Sequence, residues 1–206
     1  MPAKNICVLA SGGMDSCVLI GELLRSGQEV HPLYIRSGFR WEAVELYWLR
    51  RFLGAVKTRK LKELTVGRAL MAGLLKKHWS LGGPGVPPAG SPWDSVYLPG
   101  RNLTLLSHAA VFAAQRSIGT VAMATLKGNP FLDAAPAFHR RMEKVFATGL
   151  GRKIKVLTPY SRLSKAGVIG RSQGLPLRLT FSCLKPRGKK HCGVCSKCEE
   201  RLCLGL

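Results

Sequence analysis

The sequence has few acidic residues and no long apolar segment. Among its 206 residues, 11 are Asp or Glu and 32 are Lys or Arg, which gives a formal net charge of +21. A surface with this balance attracts polyanions, so ATP, pyrophosphate and tRNA are candidate partners, and a general basic bias that aids solubility is the alternative explanation. No uncharged apolar run reaches the ~18–20 residues that a membrane-spanning helix requires. We therefore expect no insertion into a membrane.

The chain also lacks internal repeats, low-complexity segments and a disulfide-type distribution of cysteine. An apolar share of 46% is ordinary for a globular protein and predicts one domain over residues 1–206. An apolar run begins directly at residue 5, so we expect no secretory signal. Four of the seven cysteines lie within 16 positions of one another, which fits a reducing compartment and predicts a cytoplasmic location.

Short apolar runs alternate with segments of helical periodicity, which predicts a doubly wound α/β fold with a parallel sheet. The predicted strands cover residues 5–10, 30–35, 56–61, 120–125 and 154–157. The predicted helices run from the first glycine turn to residue 27 and over 41–53, 102–116, 136–148 and 164–173. Residues 80–100 are rich in glycine and proline and are predicted to form a long loop.

A glycine-containing turn, S-G-G-M-D-S at residues 11–16, lies between the first predicted strand and helix. Gly12 and Gly13 let backbone amides approach an anion closely, and the N-terminus of the following helix favours negative charge. Asp15 stands in the first helical turn, where it can cap the helix or help to hold magnesium. The pattern is not a Walker loop, because it has no G-K-[ST] lysine. A plain tight turn with a capping aspartate is the alternative.

Four cysteines near the end of the chain have the spacing C-x8-C-x2-C-x2-C. They are Cys183, Cys192, Cys195 and Cys198. Four thiolates match the tetrahedral coordination that Zn²⁺ prefers, and short x2 spacings present neighbouring sulfurs to one ion. We therefore predict a structural zinc knuckle over residues 180–203, attached to the edge of the sheet.

The phosphate loop and the cysteines together resemble the PP-loop ATP pyrophosphatase superfamily and, within it, the 7-cyano-7-deazaguanine synthase family. Y-L-P-G-R-N at 97–102, L-S-K at 163–165 and L-T-F-S-C at 179–183 are similar to motifs of that family, as is Arg201 after the last cysteine. The order and spacing of these motifs cover most of the chain. The resemblance implies an adenine nucleotide alpha hydrolase-like fold.

The resemblance also implies an ATP-dependent C–N ligase. Such an enzyme adenylates a 7-carboxy-7-deazaguanine-like carboxylate, releases pyrophosphate, and uses ammonia to form the amide and then the nitrile. It would use Mg²⁺ with ATP, and Zn²⁺ in the knuckle. Implied catalytic residues are Asp15, Arg101 and Lys165. Implied ATP contacts are Ala10, Ser11, Gly12, Gly13, Met14, Asp15, Ser16 and Tyr34. Implied substrate contacts are Arg101, Asn102, Asn129 and Asp133.

The segment expected to face the acceptor departs from the pattern of the family. Residues 131–138 retain Asp133, but Ala134, Ala135 and Ala137 stand where the family carries Cys, Arg and Glu. ATP activation is thus implied by intact motifs, whereas the identity of the acceptor stays open.

Two other functions are compatible with the sequence. A PP-loop enzyme can act directly on tRNA, by thiolation or amidation, and the basic charge favours this alternative. Thiolation usually needs a reactive cysteine pair near the phosphates, and here the pairs are assigned to zinc. A non-catalytic nucleic-acid-binding zinc module is the other alternative, against which the intact loop at 11–16 argues. A homodimer is an open question at this stage.

Overall fold

The computed structural model describes residues 5–69 and 71–206 and contains a five-stranded, all-parallel sheet. Its strands are β1 (Asn5–Leu9), β2 (Glu29–Arg36), β3 (Thr65–Arg68), β4 (Thr120–Ala122) and β5 (Lys155–Leu157), in the order β3-β2-β1-β4-β5. Residues 1–4, over which the absence of a secretory signal was predicted, lie outside the described residues.

Helices follow the strands along the chain. They are α1 (Met14–Arg25), α2 (Glu42–Ala55), α3 (Ala72–Leu75), α4 (Arg101–Gln115), α5 (Pro136–Leu150), α6 (Lys165–Ile169) and α7 (Ser196–Leu202). Short 3₁₀ helices occupy Trp79–Leu81, Trp93–Val96, Leu132–Ala134 and Leu177–Leu179. None of the helices in the described part of the chain combines the length and apolarity needed to cross a membrane.

The sheet is covered on both faces, as the alternation of side chains along β1 illustrates. Ile6 and Val8 pack into a core with α1 and α2, whereas Cys7 and Leu9 pack into a second core with α4 and α5. Successive side chains of a strand point to opposite faces, so an unbroken apolar strand requires helices on both. The predicted doubly wound α/β fold is confirmed.

The strand order places a crevice beside the carboxyl end of β1. From β1 the chain moves outward through β2 and β3, and then returns to form β4 on the other side of β1. Ligands of open α/β sheets bind at this kind of reversal, outside the carboxyl ends of the strands. The loop after β1 and the loop after β4 therefore meet at one place.

The prediction of a strand at residues 56–61 is wrong. The third strand is β3 (Thr65–Arg68), and within 56–61 only Leu61 makes a single bridge, to Val30. Lys57, Arg59 and Lys60 are exposed, and a parallel strand buried on both faces has no place for three charged side chains.

Two other elements differ from their predictions. The helix predicted over 164–173 ends at Ile169, and the chain continues in turns to Leu175. The long loop predicted at residues 80–100 includes most of one 3₁₀ helix and all of another. It is hydrogen-bonded to the cysteine-rich end of the chain. The Ala89 amide donates to the Val194 carbonyl at 3.0 Å, and the Gly90 amide donates to Glu199 Oε2 at 2.7 Å. The loop therefore has partners along the knuckle, which sequence periodicity does not reveal.

Candidate functional site

The turn at residues 11–16 has a backbone that only glycine fits at its second position. Gly12 has φ +77°, and a Cβ there would lie 2.9 Å from the backbone oxygen of Glu45. Both the left-handed conformation and the close approach of α2 exclude a larger residue. The turn thus lies directly against the first half of α2.

Two serine hydroxyls hold the shape of this turn. Ser16 Oγ donates to the Gly13 carbonyl at 3.1 Å and lies 3.2 Å from both the amide and the hydroxyl oxygen of Ser11. Helix α1 then begins at Met14 with no side chain capping its N-terminus. Uncapped amides at the positive end of a 12-residue helix favour an anion such as phosphate.

A chain of charged side chains crosses the site beside this turn. Lys165 Nζ lies 2.8 Å from Asp15 Oδ2 and 3.2 Å from Glu200 Oε1, and Lys197 Nζ lies 2.8 Å from Glu200 Oε2. Burial raises the pKa of Asp15, and the positive charge of Lys165 opposes that shift. Among the described residues, Asp15 Oδ1 has no hydrogen-bond partner although it is buried. An unpartnered buried carboxylate oxygen is suited to receive a cation or a donor from a ligand.

A second buried carboxyl group lies under the turn. Glu45 Oε2 accepts a hydrogen bond from the Tyr34 hydroxyl at 2.7 Å, and both side chains are buried. Burial raises the pKa of Glu45 to about 8, against the opposing effects of the Tyr34 hydrogen bond and the positive charge of Arg101. At neutral pH this carboxyl group is therefore largely protonated.

The P-G-R-N segment starts helix α4 and is fixed by Asp133. The Asn102 amide donates to Asp133 Oδ2 at 2.9 Å, and Asn102 Nδ2 donates to Oδ1 at 3.2 Å. Helix α4 has no acidic residue in its own first turn and no capping side chain at Gly100. Asp133 supplies that cap from a distant segment, which leaves both of its oxygens engaged within the protein.

One cleft joins most of the predicted residues. It is lined by Ser11, Gly13, Met14, Asp15, Arg101, Asn129 and Lys165. A smaller adjoining cavity is lined by Ala10, Ser11 and Tyr34, and it shares Glu45 and Arg101 with the cleft. Four of the predicted residues line neither of these two cavities: Gly12, Ser16, Asn102 and Asp133.

The cleft has aromatic walls that the sequence did not lead us to predict. Trp41 stacks on Trp79 with ring centroids 5.7 Å apart, and Phe131 lies 5.1 Å from Tyr97. Trp41, Trp79, Trp93 and Phe131 all face the cleft. Flat aromatic surfaces of this kind stack with planar heterocycles. These residues come from separate segments of the chain, so no single sequence pattern relates them.

The four predicted cysteine ligands converge. Cys183, Cys192, Cys195 and Cys198 are buried, and all four sulfurs lie within 4.8 Å of one another. Zn–S bonds of roughly 2.3 Å in a tetrahedron put the sulfurs roughly 3.8 Å apart. The Cys192–Cys198 distance is 3.8 Å and the Cys195–Cys198 distance is 3.5 Å. This donor set fits a tetrahedral, thiolate-binding cation.

The segment just before Cys183 bonds to the turn at residues 11–16, which we call the phosphate turn. The Phe181 amide donates to the Gly12 carbonyl at 2.8 Å, two residues before Cys183. The buried Arg201 guanidinium donates to Thr180 Oγ1 at 2.8 Å from the other side. The L-T-F-S-C segment therefore connects the cysteine cluster to the turn that precedes α1.

Comparison with known families gives a match over nearly the whole chain. The family model described as "Queuosine biosynthesis protein QueC" matches residues 5–203. The 7-cyano-7-deazaguanine synthase 1 of Desulfitobacterium hafniense (strain Y51) is 30% identical over 211 residues, covering 98% of this chain and 91% of the relative. The 7-cyano-7-deazaguanine synthase of Anaeromyxobacter sp. (strain Fw109-5) is 32% identical over 216 residues, covering 97% and 91%.

Two solved structures share the fold. A predicted subunit of a tRNA methyltransferase from Methanocaldococcus jannaschii has a TM-score of 0.51 and 16% identity, covering 81% of this chain and 72% of that one. A 4-thiouridine synthetase in complex with RNA and bound ATP has a TM-score of 0.51 and 14% identity, covering 98% of this chain and 50% of that one. At these identities the likeness concerns the fold alone.

Proposed function

The chain belongs to the QueC family of queuosine biosynthesis proteins, and we propose that it is an ATP-dependent C–N ligase of the 7-cyano-7-deazaguanine synthase type. Its substrates would be ATP, ammonia and 7-carboxy-7-deazaguanine or a closely related carboxylate. The observation that carries the proposal is the convergence of the phosphate turn, Arg101, Lys165 and aromatic walls on one cleft.

In the first step, an acceptor carboxylate oxygen attacks the α-phosphorus of ATP. The bond from phosphorus to the bridging oxygen breaks, pyrophosphate leaves, and an acyl-adenylate forms. Negative charge accumulates on the leaving pyrophosphate and on the α-phosphate. The amides at the start of α1, together with Lys165 and Arg101, are the groups of this chain that can stabilise that charge.

Ammonia then attacks the acyl carbon, AMP leaves, and the amide forms with release of a proton. In a second cycle the amide oxygen attacks the α-phosphorus of another ATP, and pyrophosphate leaves again. Loss of AMP and of the remaining N–H protons gives the nitrile. Each nitrile therefore consumes two ATP and releases two AMP and two pyrophosphate. An acyl-adenylate needs protection from water, which the aromatic side chains around the cleft would supply.

Two metal ions fit residues of this chain. Magnesium bound with ATP would neutralise phosphate charge, and the buried, unpartnered Asp15 Oδ1 is the oxygen placed to hold it. Zinc in the knuckle would be structural, because all four of its positions would be filled by sulfur. Since Phe181 bonds to Gly12, we propose that residues 180–203 belong to one domain with the sheet.

Recognition of the acceptor is assigned to the open side of the cleft. A deazaguanine ring is planar, and Trp79 or Phe131 offers it a stacking surface. The Arg101 guanidinium suits the acceptor carboxylate, and Asn129 adds an amide that can read a ring edge. Asp133 is proposed to act on the substrate through Asn102 and α4, since its oxygens bond there.

Direct thiolation of tRNA has less support from this site. The cysteines outside the cluster that lie near the sheet, Cys7 and Cys17, are buried, and burial raises the pKa of both thiols, to about 12 for Cys7. Cys203 is exposed and does not line the cleft. Cys183 lines the cleft but belongs to the cysteine cluster, so among the described residues no thiol outside that cluster faces the cleft. The net charge of +21 keeps tRNA as a second acceptor to be tested.

The test is an acceptor comparison. The protein is incubated with magnesium-ATP and ammonium and with either 7-carboxy-7-deazaguanine or bulk tRNA, and AMP and the acceptor mass are measured. The proposal predicts AMP formation and nitrile only with the small carboxylate, and loss of both products in Asp15→Ala. AMP formation that depends on tRNA would replace the proposed acceptor, and the absence of AMP with either acceptor contradicts the ligase assignment.

A further inference from the structure

We propose that Glu200 is a positioning residue that holds the Lys165 ammonium group at the phosphate turn, so that ATP chemistry depends on a carboxylate from the knuckle helix α7. The inference rests on the proposed function in taking Lys165 to act on ATP. It assigns a role to a residue of the knuckle, between Cys198 and Arg201, for which the sequence analysis gave none.

The contacts form one continuous chain of alternating charge. Lys165 Nζ bonds to Asp15 Oδ2 at 2.8 Å on one side and to Glu200 Oε1 at 3.2 Å on the other. The second oxygen of Glu200 bonds to Lys197 Nζ at 2.8 Å. The Lys165 side chain is only 16% exposed and the Glu200 side chain 19%. All four of these charged residues line the cleft. The pairing is therefore shielded from water more than a surface ion pair is.

Lys165 needs a partner that fixes its position. It is the first residue of α6, a helix of five residues whose start is capped by the Ser164 hydroxyl. A lysine side chain has several rotatable bonds and loses rotamer entropy when it is held. In the proposed function the Asp15 carboxylate would also hold the magnesium bound with ATP, so it would be shared between two cations. Glu200 is the carboxylate that remains on the far side of the ammonium group.

Helix α7 is itself firmly placed. It begins at Ser196, between Cys195 and Cys198 of the cysteine cluster, and the buried Arg201 bonds to Thr180 Oγ1. Glu199, the neighbour of Glu200, points elsewhere and accepts a hydrogen bond from the Gly90 amide. The two adjacent glutamates thus differ in their partners while sharing the same helix. Glu199 provides a matched control.

The experiment compares E200Q, E200D and E199Q with the wild type, and adds K165M and the double variant K165M/E200Q. Magnesium-ATP affinity is measured by calorimetry without acceptor, and kcat and KM by AMP formation with 7-carboxy-7-deazaguanine. Misplacement of a catalytic group by about 1 Å can lower a rate by about 10²-fold. We expect E200Q to lower kcat by about that factor with little change in KM for the carboxylate, E200D to recover part of the loss, and E199Q to resemble the wild type.

The double variant separates positioning from folding. If Glu200 acts through Lys165, E200Q has little further effect on kcat or ATP affinity in a K165M background. Additive losses, equal losses in E199Q, or a loss of bound zinc and melting temperature in E200Q would overturn the proposal. Wild-type protein that binds magnesium-ATP but forms no product contradicts the proposed ligase function, and the affinity arm of the cycle still decides the role of Glu200. An absence of ATP binding by the wild type overturns both.

Discussion

Lys165 Nζ and Asp15 Oδ2 lie 2.8 Å apart, although 150 positions separate the two residues in the sequence. Asp15 is in the first turn of α1 and Lys165 opens α6, so the contact joins the phosphate turn to the L-S-K segment. The pair lines the cleft that also contains Arg101 and the aromatic walls. The motifs that suggested ATP chemistry one by one are therefore parts of a single site.

The phosphate turn gives the first prediction. Asp15→Ala and Ser16→Ala should each lower pyrophosphate release by about 10²–10³-fold, because Asp15 is the proposed magnesium ligand and Ser16 Oγ holds the shape of the turn. The fold should persist, since neither side chain belongs to a large apolar core. Ser26→Ala is the matched control, because the exposed Ser26 at the far end of α1 bonds only to a local carbonyl. Activity near the wild-type level in both loop variants means that the turn does not bind ATP.

The cysteine cluster gives the second prediction. Freshly purified protein should contain one zinc per chain, and Cys195→Ser should lose it together with stability on the order of 4 kcal/mol. Cys203→Ser, which changes an exposed thiol outside the cluster, should keep both. Metal analysis and urea unfolding of the two variants test the assignment. Zinc-free protein of full stability speaks against a structural metal.

Glu45 gives the third prediction, which concerns the pH dependence of stability. Its pKa is raised by burial to about 8 in the folded protein, from an ordinary value of 4.5. Between these values the unfolded chain has lost the proton that the folded chain keeps, so the free energy of unfolding should decrease as pH rises from 4.5 to about 8. The slope contributed by this group is at most about 1.4 kcal/mol per pH unit.

Glu45→Gln removes that titration and retains an oxygen that accepts the Tyr34 hydroxyl. We therefore expect the variant to lose less stability than the wild type between pH 5.5 and 8, measured by urea unfolding at several pH values. Glu63→Gln, at an exposed position, is the control. Parallel curves for the wild type and Glu45→Gln would show that Glu45 titrates normally.

The segment at residues 131–138, expected to face the acceptor, gives the fourth prediction. Asp133→Asn replaces one of the two oxygens that bond to Asn102, so it should lower the free energy of unfolding by about 1 kcal/mol and reduce kcat/KM through the displaced start of α4. Ala135→Arg with Ala137→Glu restores two charged groups of the family motif and should raise kcat/KM for 7-carboxy-7-deazaguanine. Neutral results for both variants mean that residues 131–138 do not shape the acceptor site.

Much of the fold was predictable because its signals are local. The apolar run of β1, the glycine turn and the helical repeat of α1 follow one another directly, and the x2 cysteine spacings specify their own geometry. The third strand was misplaced because β3 is short and only partly buried, which gives it a weak pattern. Helix α7 was missed because its seven residues overlap the cysteine motif.

The rest of the site depends on long-range contacts. Three residues of the cleft come from separate elements: Glu45 from α2, Trp79 from a short 3₁₀ helix and Glu200 from α7. None of them stands in a sequence pattern that indicates a ligand-binding residue. Asp133 was expected at the substrate because of its motif, and only the structure reveals that it caps α4. Partners of buried polar groups are decided by packing between distant segments, which one sequence does not display.

The most direct test of the account is the number of ATP molecules consumed for each nitrogen incorporated. The protein is incubated with magnesium-ATP, ¹⁵N-ammonium and 7-carboxy-7-deazaguanine, and AMP, pyrophosphate and the labelled product are quantified together by mass spectrometry. The account predicts a nitrile that carries one ¹⁵N, with two AMP and two pyrophosphate for each nitrile. Release of ADP in place of AMP, or AMP formation without transfer of ¹⁵N, would contradict it.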